Sequence, residues 1–150
     1  MEAESYDDPK LSEFIEASFT PSRIHIKENP AEFHRFDVLW TPTVLVFDEN
    51  GKERFRVEGY LPKDEFAAHL LMGLARVALI NKKFADAESL YQEVIQKYPD
   101  TGIAPAAVYW LGVTRYKKTK DHRELSKIVA ELKQKFPNSP WNQRAIPWAS

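Results

Sequence analysis

The sequence of 150 residues contains no cysteine. Disulfide bonds, thiolate catalysis and zinc sites with sulfur ligands are therefore excluded for this chain. There is also no run of about 20 apolar residues that could span a bilayer. The first ten residues are acidic and polar, which is the opposite of a secretory signal. The sequence predicts a soluble, cytoplasmic protein.

Motifs for metal, phosphate or acyl chemistry are missing too. There is no glycine-rich phosphate loop, no G-x-S-x-G turn and no H-x-x-x-H pair among the four histidines, His25, His34, His69 and His122. The net charge of −1 gives no general attraction to nucleic acid or to an anionic membrane. Bases and aromatic residues interleave at 109–120, but helix packing requires the same aromatic spacing. We therefore predict no catalytic residue, no metal, no cofactor, and neither nucleic acid nor membrane as a partner.

The first forty residues mix helix signals with one strand signal. An Asp-Pro pair at 8–9 is a helix start, and apolar residues at helical spacing predict a helix over 9–18. Residues 23–27 alternate between polar and apolar side chains, which predicts a strand. An Asn-Pro pair ends this strand, and a short helix with Phe33 and Phe36 on one face follows.

A β-hairpin is predicted next. Residues 44–47 form an unbroken apolar run, as in a strand that is buried on both faces. The turn Asp-Glu-Asn-Gly follows at 48–51, and residues 54–58 then alternate charged and apolar side chains. Charges on one face of this second strand would protect an exposed edge from aggregation.

The rest of the sequence has helical periodicity and repeats itself. Predicted helices cover about 62–80, 84–97, 104–118, 121–135 and 140–146. Lys97–Thr101 is echoed by Lys135–Ser139 with a period of 38 residues, and Met72–Arg76 is echoed by Leu111–Arg115. Each unit consists of a helix, a short turn, a second helix and an aromatic-Pro pair.

These units resemble the tetratricopeptide repeat, a helix–turn–helix unit of about 34 residues, over residues 66–148. Signature spacings are met by Leu74, Ala75, Phe84, Ala87, Tyr91, Val94 and Pro99, and again by Leu111, Gly112, Leu125, Val129, Leu132 and Pro137. Small residues at 75, 87 and 112 would allow close helix approach, and the segment 141–148 would close the free end. The alternative is an ordinary helical bundle with accidental echoes.

The resemblance implies a concave surface formed by the first helix of each hairpin, where repeat proteins bind their partners. By repeat position this surface contains His69, Met72, Arg76, Tyr109, Val113 and Tyr116. The alternative for these residues, above all Met72 and Val113, is packing against the N-terminal half.

Residues 6–70 resemble the second half of a thioredoxin fold. The order of elements fits, with Trp40-Thr41-Pro42 placed after a helix and before a buried strand. In that family this proline follows a cis peptide bond and the residue before it contacts an extended substrate. The resemblance therefore nominates Trp40, Thr41 and Pro42 as partner-binding residues.

The family's first strands and its Cys-x-x-Cys segment have no counterpart in this sequence. We therefore expect Met1 to be an internal methionine of a longer protein. The absent central strand would lie between the strand at 23–27 and the strand at 44–47. Its loss leaves strand edges unpaired, so either the remaining strands close up, or a second chain fills the gap and the protein self-associates through these edges, or the domain is only partly folded. We also expect this N-terminal half to be the less stable one.

Together these features predict an α/β plus all-α fold. A truncated thioredoxin-like αβαββα unit at 1–70 precedes two tetratricopeptide-like hairpins and a short capping helix at 66–150, with a shared helix at about 62–80. The predicted function is a non-catalytic module that binds a protein or peptide partner. The alternative is the C-terminal part of a thiol–disulfide oxidoreductase whose Cys-x-x-Cys lies upstream of Met1, and the in-frame DNA upstream would distinguish the two.

Overall fold

The computed structural model describes residues 7–149, which form an α/β part followed by helical hairpins. The elements are α1 (Pro9–Ser18), α2 (Pro30–Arg35), β1 (Thr43–Phe47), β2 (Glu53–Glu58), α3 (Lys63–Ile80), α4 (Phe84–Lys97), α5 (Ala104–Thr119), α6 (Arg123–Lys135), α7 (Trp141–Ala145) and a 3-10 turn (Ile146–Trp148). This order confirms the predicted fold class. No helix within these described residues is both long and apolar enough to cross a membrane.

Helix α1 begins as its Asp-Pro start predicts and packs against α3. The carboxylate of Asp8 accepts a hydrogen bond from the backbone N–H of Leu11 at 2.9 Å, which caps the helix. Leu11 and Ile15 are buried in a cluster with the α3 residues Phe66, Ala67 and Leu70. Lys63 at the start of α3 also binds Asp8, and this contact holds the pKa of the Asp8 carboxyl below its ordinary value.

The predicted hairpin is present as an antiparallel pair of β1 and β2. Val44 lies opposite Val57 and Val46 opposite Phe55, and the register shifts between Val46 and Phe47. The first turn residue, Asp48, accepts hydrogen bonds from the backbone N–H groups of Asn50 and Lys52 and from the guanidinium of Arg54. These bonds lower the pKa of the Asp48 carboxyl.

The predicted strand over 23–27 is wrong. These residues are irregular, and the carbonyl of His25 accepts hydrogen bonds from Glu28 and Asn29 in a turn. Ile24 and Ile26 are 37% and 49% exposed. Alternation alone does not make a strand, because its N–H and C=O groups need a neighbouring strand. The sheet of the described residues holds only β1 and β2, so the predicted αβαββα order is ααββα here.

Helices α3 to α6 stack in chain order, each against the next. Ala75 and Ala87 are fully buried in a core that also contains Leu71, Tyr91 and Val94. Burial raises the pKa of the Tyr91 hydroxyl. At Gly112 on α5, a Cβ atom would lie 2.0 Å from Cγ1 of Ile128 on α6, which agrees with the prediction that the small residue at 112 allows close helix approach.

Helix α3 contacts both parts of the chain. A Cβ atom at Gly73 would lie 2.8 Å from Cγ2 of Val46, so the hairpin packs directly on this side of the helix. Its other side contributes Ala75 to the core shared with α4. At the far end, α7 packs on α5 and α6 and buries Ala145. The α/β part therefore covers one side of the first helical hairpin, which α3 and α4 form. Helix α7 covers the second helical hairpin, which α5 and α6 form.

Candidate partner-binding surfaces

The segment that precedes β1 forms the first candidate surface. Leu39 is 85% exposed and Trp40 is 70% exposed, the two largest exposures among the large apolar side chains of the described residues. The Thr41–Pro42 peptide bond that follows is cis. The hydroxyl of Thr43 donates to the carbonyl of Trp40 at 2.6 Å.

Hydrogen bonds to β2 and to Gly59, the residue directly after it, hold this segment at both ends. At one end, the guanidinium of Arg56 donates to the carbonyl of Phe36 at 2.6 Å and to that of Asp37 at 3.3 Å. At the other end, the N–H of Gly59 donates to the carbonyl of Pro42 at 2.8 Å. Two large apolar side chains therefore project into solvent from a backbone that is fixed on either side of them.

The predicted residues His69 and Met72 of α3 have little surface to offer. Met72 is only 4% exposed and belongs to the helical core. The ring of His69 lies 6.1 Å from that of Phe55 on β2, and its Nδ1 lies 2.7 Å from the carbonyl oxygen of Glu65. The β-hairpin thus packs on α3 and covers this end of the predicted concave surface.

Arg76 remains exposed and connects the first helices of the two hairpins. Its guanidinium carbon lies 5.4 Å from the ring centre of Trp110 on α5, a cation–π contact. Farther along α5, Val113 and Tyr116 are half-buried, and the ring of Tyr116 lies 5.0 Å from that of His122. Arg76 is therefore exposed, and Val113 and Tyr116 each leave part of their side chain accessible.

Tyr109 packs against the C-terminal segment. Its ring centre lies 4.4 Å from that of Trp148, 4.9 Å from that of Trp141 and 5.7 Å from that of Trp110. The segment that follows α6 therefore covers this ring, as the prediction of a closing segment at 141–148 implies.

Residues 115–135 contain eight basic side chains, and five of them are paired with acidic side chains. Glu88 on α4 pairs with Arg115 at 2.8 Å and with Lys118 at 3.5 Å, and Arg115 is the main cause of the lowered pKa of the Glu88 carboxyl. Other pairs in this stretch are Arg123–Asp121, Lys127–Glu124 and Lys135–Glu131. In residues 7–149, moreover, no three His, Asp or Glu side chains are grouped so that they could hold a metal ion.

Two family models match the sequence. Residues 1–73 match a model described as a thioredoxin-like domain, and residues 67–101 match a model of the tetratricopeptide repeat. The chain joins a thioredoxin-like domain to tetratricopeptide-repeat helices. The two matches overlap within α3, the helix that contacts both parts of the structure. No curated protein and no solved structure matches the chain.

The first repeat comprises α3 and α4, where the repeat model matches. Helices α5 and α6 lie beyond that match and form a second hairpin in the structure. We therefore propose the division 1–70 and 66–150, with α3 shared, as the domain organisation. Residues 1–73 are called the thioredoxin-like part, and helices α3 to α7 are called the repeat part.

Leu39 and Trp110 are absent from the set that the sequence nominated, yet each lies beside a nominated residue. Leu39 stands next to Trp40, and Trp110 lies under Arg76. The signal for Leu39 is the apolar triplet Val-Leu-Trp at 38–40, which has neither helix nor strand periodicity. A short apolar run outside any periodic element has no core to enter and is therefore a candidate for exposure.

Proposed function

We propose that this chain is a non-catalytic interaction module that binds a protein or peptide partner. The observation that carries the proposal is the exposure of Leu39 and Trp40 on a segment that hydrogen bonds hold at both ends. The repeat part supports it, because tetratricopeptide repeats generally mediate contacts between proteins.

Binding at this segment is physically favourable. Burial of a large apolar side chain contributes about 1.5–3 kcal/mol, and tryptophan is among the residues enriched where interfaces are strongest. Because Arg56 and Gly59 already fix the backbone, a partner loses little free energy in ordering it. Trp40, Thr41 and Pro42 are therefore the proposed contact residues on the thioredoxin-like part.

On the repeat part, we propose contacts at Arg76, Val113 and Tyr116. Arg76 supplies a charge over an aromatic ring, and the two α5 residues supply half-buried apolar surface. His69, Met72 and Tyr109 were nominated by the same repeat positions. We assign His69 and Met72 to packing beneath the β-hairpin, and Tyr109 to packing against α7.

A peptide library selected on the 150-residue chain tests the proposal. The affinity of a selected peptide is then measured by isothermal titration for the parent chain, Trp40→Ala and Arg76→Ala. We expect Trp40→Ala to weaken binding at least about tenfold and Arg76→Ala about threefold, since interface aromatics carry most of the binding energy. The affinity of Tyr116→Ala extends the test along α5. We choose Tyr116 rather than Tyr109, because the ring of Tyr109 packs against α7 and its removal would disturb the fold.

The matched control is Glu49→Gln, an exposed position in the hairpin turn. Its affinity should equal that of the parent chain. If Trp40→Ala and Arg76→Ala both bind the selected peptides as tightly as the parent does, these contact residues are wrong. If the library yields no saturable binder, the interaction function itself is contradicted.

A second candidate is the substrate-side portion of a thiol–disulfide oxidoreductase, which the match of residues 1–73 to a thioredoxin-like domain favours. The chain has no cysteine of its own, so the reactive thiols would have to be supplied from elsewhere. The 150-residue chain should therefore be inactive in an insulin-reduction assay. In-frame codons for Cys-x-x-Cys upstream of Met1 would support this candidate, and a stop codon directly upstream would exclude it.

A further inference from the structure

The first helix of each helical hairpin is poor in acidic residues. Between its first turn and its end, α3 contains no Asp or Glu, and its ionisable side chains are His69 and Arg76. Helix α5 contains no Asp or Glu either, and its bases are Arg115, Lys117 and Lys118. The acids of these four helices lie in the first turn of α3 and on the second helices, α4 and α6.

Ion pairs engage some of these bases and leave others free. Arg115 and Lys118 both pair with Glu88 on α4, so they are directed towards that helix. Lys117 is exposed, and it takes part in no ion pair within residues 7–149. Arg76 is likewise exposed, and no acid in this part of the chain pairs with it.

Arg76 and Lys117 lie along one face of α5. The guanidinium carbon of Arg76 lies 5.4 Å from the ring centre of Trp110. Lys117 follows Trp110 by seven positions, which is two helical turns or about 10 Å along the helix axis, and it therefore shares the face of that tryptophan. The half-buried Val113 lies between the two. We call Arg76, Trp110, Val113 and Lys117 the basic face.

Further unpaired bases lie where the basic face ends. A residue near the start of α4 pairs with the last turns of α5, so the α3–α4 turn and the α5–α6 turn lie at the same end of the stacked helices. This end exposes Lys82, Lys83 and Lys120, and none of them is in an ion pair among the described residues. Asp121 is already paired with the first residue of α6, and Asp86 is an exposed acid near the same turns. The bases at this end therefore outnumber the free acids.

We propose that the segment bound by the repeat part is acidic, with carboxylates on either side of an apolar side chain. Arg76 and Lys117 each pair with a carboxylate, and the apolar side chain packs on Trp110 and Val113. Because neither base is in an ion pair, no such pair within the described residues has to break first. Bases on a binding face attract acidic segments and repel basic ones, so they decide which partner is accepted. This inference rests on the proposed partner binding and adds the chemistry of the partner.

Selection from a random peptide library tests the preference without assuming a sequence. The selection uses the Trp40→Ala chain, so that the exposed tryptophan does not select peptides of its own. We expect Asp and Glu to be enriched at least about twofold over the unselected library, and Lys and Arg to be depleted. Saturable binders without this enrichment overturn the acidic preference and leave the interaction function standing. A selection that yields no saturable binder contradicts binding by the repeat part itself.

Charge variants test whether the basic face is the site. The affinity of a selected acidic peptide is measured by isothermal titration, with circular dichroism to verify folding. We expect Lys117→Gln to weaken binding about threefold and the double variant Arg76→Gln/Lys117→Gln at least about tenfold.

The matched control is Lys133→Gln, which changes the net charge by the same amount as Lys117→Gln. Lys133 is exposed near the end of α6, far from the α5–α6 turn, and is in no ion pair among the described residues. Its affinity should equal that of the parent chain. If Lys133→Gln weakens binding as much as Lys117→Gln does, net charge rather than the basic face attracts the peptide, and the proposal is overturned.

Salt and a nucleic-acid probe provide the last test. Raising the salt concentration from 0.1 M to 1 M shortens the Debye length from about 10 Å to about 3 Å, so the affinity of the parent chain for the acidic peptide should fall at least about fivefold. The affinity of the double variant should change much less. A labelled single-stranded oligonucleotide of about 20 nucleotides, which carries many more negative charges, should still bind more weakly than the peptide. An affinity that does not depend on salt overturns the proposal, and so does an oligonucleotide that binds at least as tightly as the peptide.

Discussion

Gly112 on α5 leaves no room for a side chain beside Ile128 on α6. A Cβ atom at this position would be 2.0 Å from Cγ1 and 2.7 Å from Cδ1 of Ile128, a side chain in the buried core. We expect Gly112→Ala to lower the free energy of unfolding by about 1–3 kcal/mol, because the core cannot take another methyl group without moving α6. Urea unfolding followed by circular dichroism measures the change.

Two further variants test this explanation. Gly102→Ala is the control, since a Cβ atom there would make an ordinary 3.5 Å contact with Oε1 of Glu65. Ile128→Ala removes the atoms that clash and should itself cost about 2–5 kcal/mol. In the Ile128→Ala background, Gly112→Ala should then cost much less than it does alone. If Gly112→Ala lowers the free energy of unfolding equally in the parent chain and in Ile128→Ala, the steric explanation is contradicted.

Single residues at helix boundaries were well predicted because their effects are local. The cap formed by Asp8 joins groups three residues apart, so the sequence contains both partners. Arg56 is the contrasting case: its guanidinium binds the carbonyls of Phe36 and Asp37, about twenty positions earlier in the chain. No local pattern links such distant groups, so the fixed backbone beside Trp40 was not predictable.

At the scale of elements, the β1–β2 turn depends on one carboxylate. Hydrogen bonds from Lys52 and Asn50 and the ion pair with Arg54 lower the pKa of Asp48 below its value in the unfolded chain. This carboxylate therefore stabilises the fold above about pH 4, and its contribution is lost as the pH falls through the folded pKa.

Asp48→Asn should accordingly lower the melting temperature by a few degrees at pH 7, and this difference should shrink steadily below about pH 4. Thermal unfolding by circular dichroism across this pH range provides the measurement. The control is Asp100→Asn, at an exposed position outside the β-hairpin. It should change the melting temperature little, both at pH 7 and below about pH 4. If the difference in melting temperature between Asp48→Asn and the parent chain is the same at all pH values, the loss of charge is not its cause.

Elements differed in how well the sequence predicted them. The predicted helix at 84–97 has the same bounds as α4, because apolar side chains recur along it at helical spacing and a helix satisfies its own backbone. The predicted strand at 23–27 had an equally regular pattern and did not form. A strand depends on a neighbour that its own sequence does not contain, and the described residues offer none.

At the scale of the whole molecule, packing is uneven. Helix α4 lies between α3 and α5 and buries Ala87, Tyr91 and Val94, whereas the sheet of the described residues consists of the two strands β1 and β2. Small sheets of this kind gain little stability from pairing alone. Local unfolding of the β-hairpin should therefore require less free energy than local unfolding of α4.

Native-state hydrogen exchange measures this difference residue by residue. We expect amide protons in the middle of α4 to exchange at least about tenfold more slowly than those of β1 and β2 that bond across the hairpin. Equal protection of the hairpin and α4 would contradict the prediction of a less stable thioredoxin-like part.

The sequence by itself determined the class of this protein. The absence of cysteine excludes thiol chemistry within the chain, and apolar periodicity together with the repeated aromatic-Pro ending determined the helical hairpins. These properties are local, or they repeat along the chain, so they need no knowledge of which segments meet in space.

Only the tertiary structure decided which candidate residues are available to a partner. Repeat position nominated His69, Met72 and Arg76 together, with packing as the alternative above all for Met72, but only the structure shows that the β-hairpin packs on α3 and leaves Arg76 as the exposed member of the three. Likewise, the sequence predicted a strand at 23–27, and only the structure showed that the sheet of the described residues consists of β1 and β2. Exposure depends on what the rest of the chain covers, and this is decided by packing between distant segments.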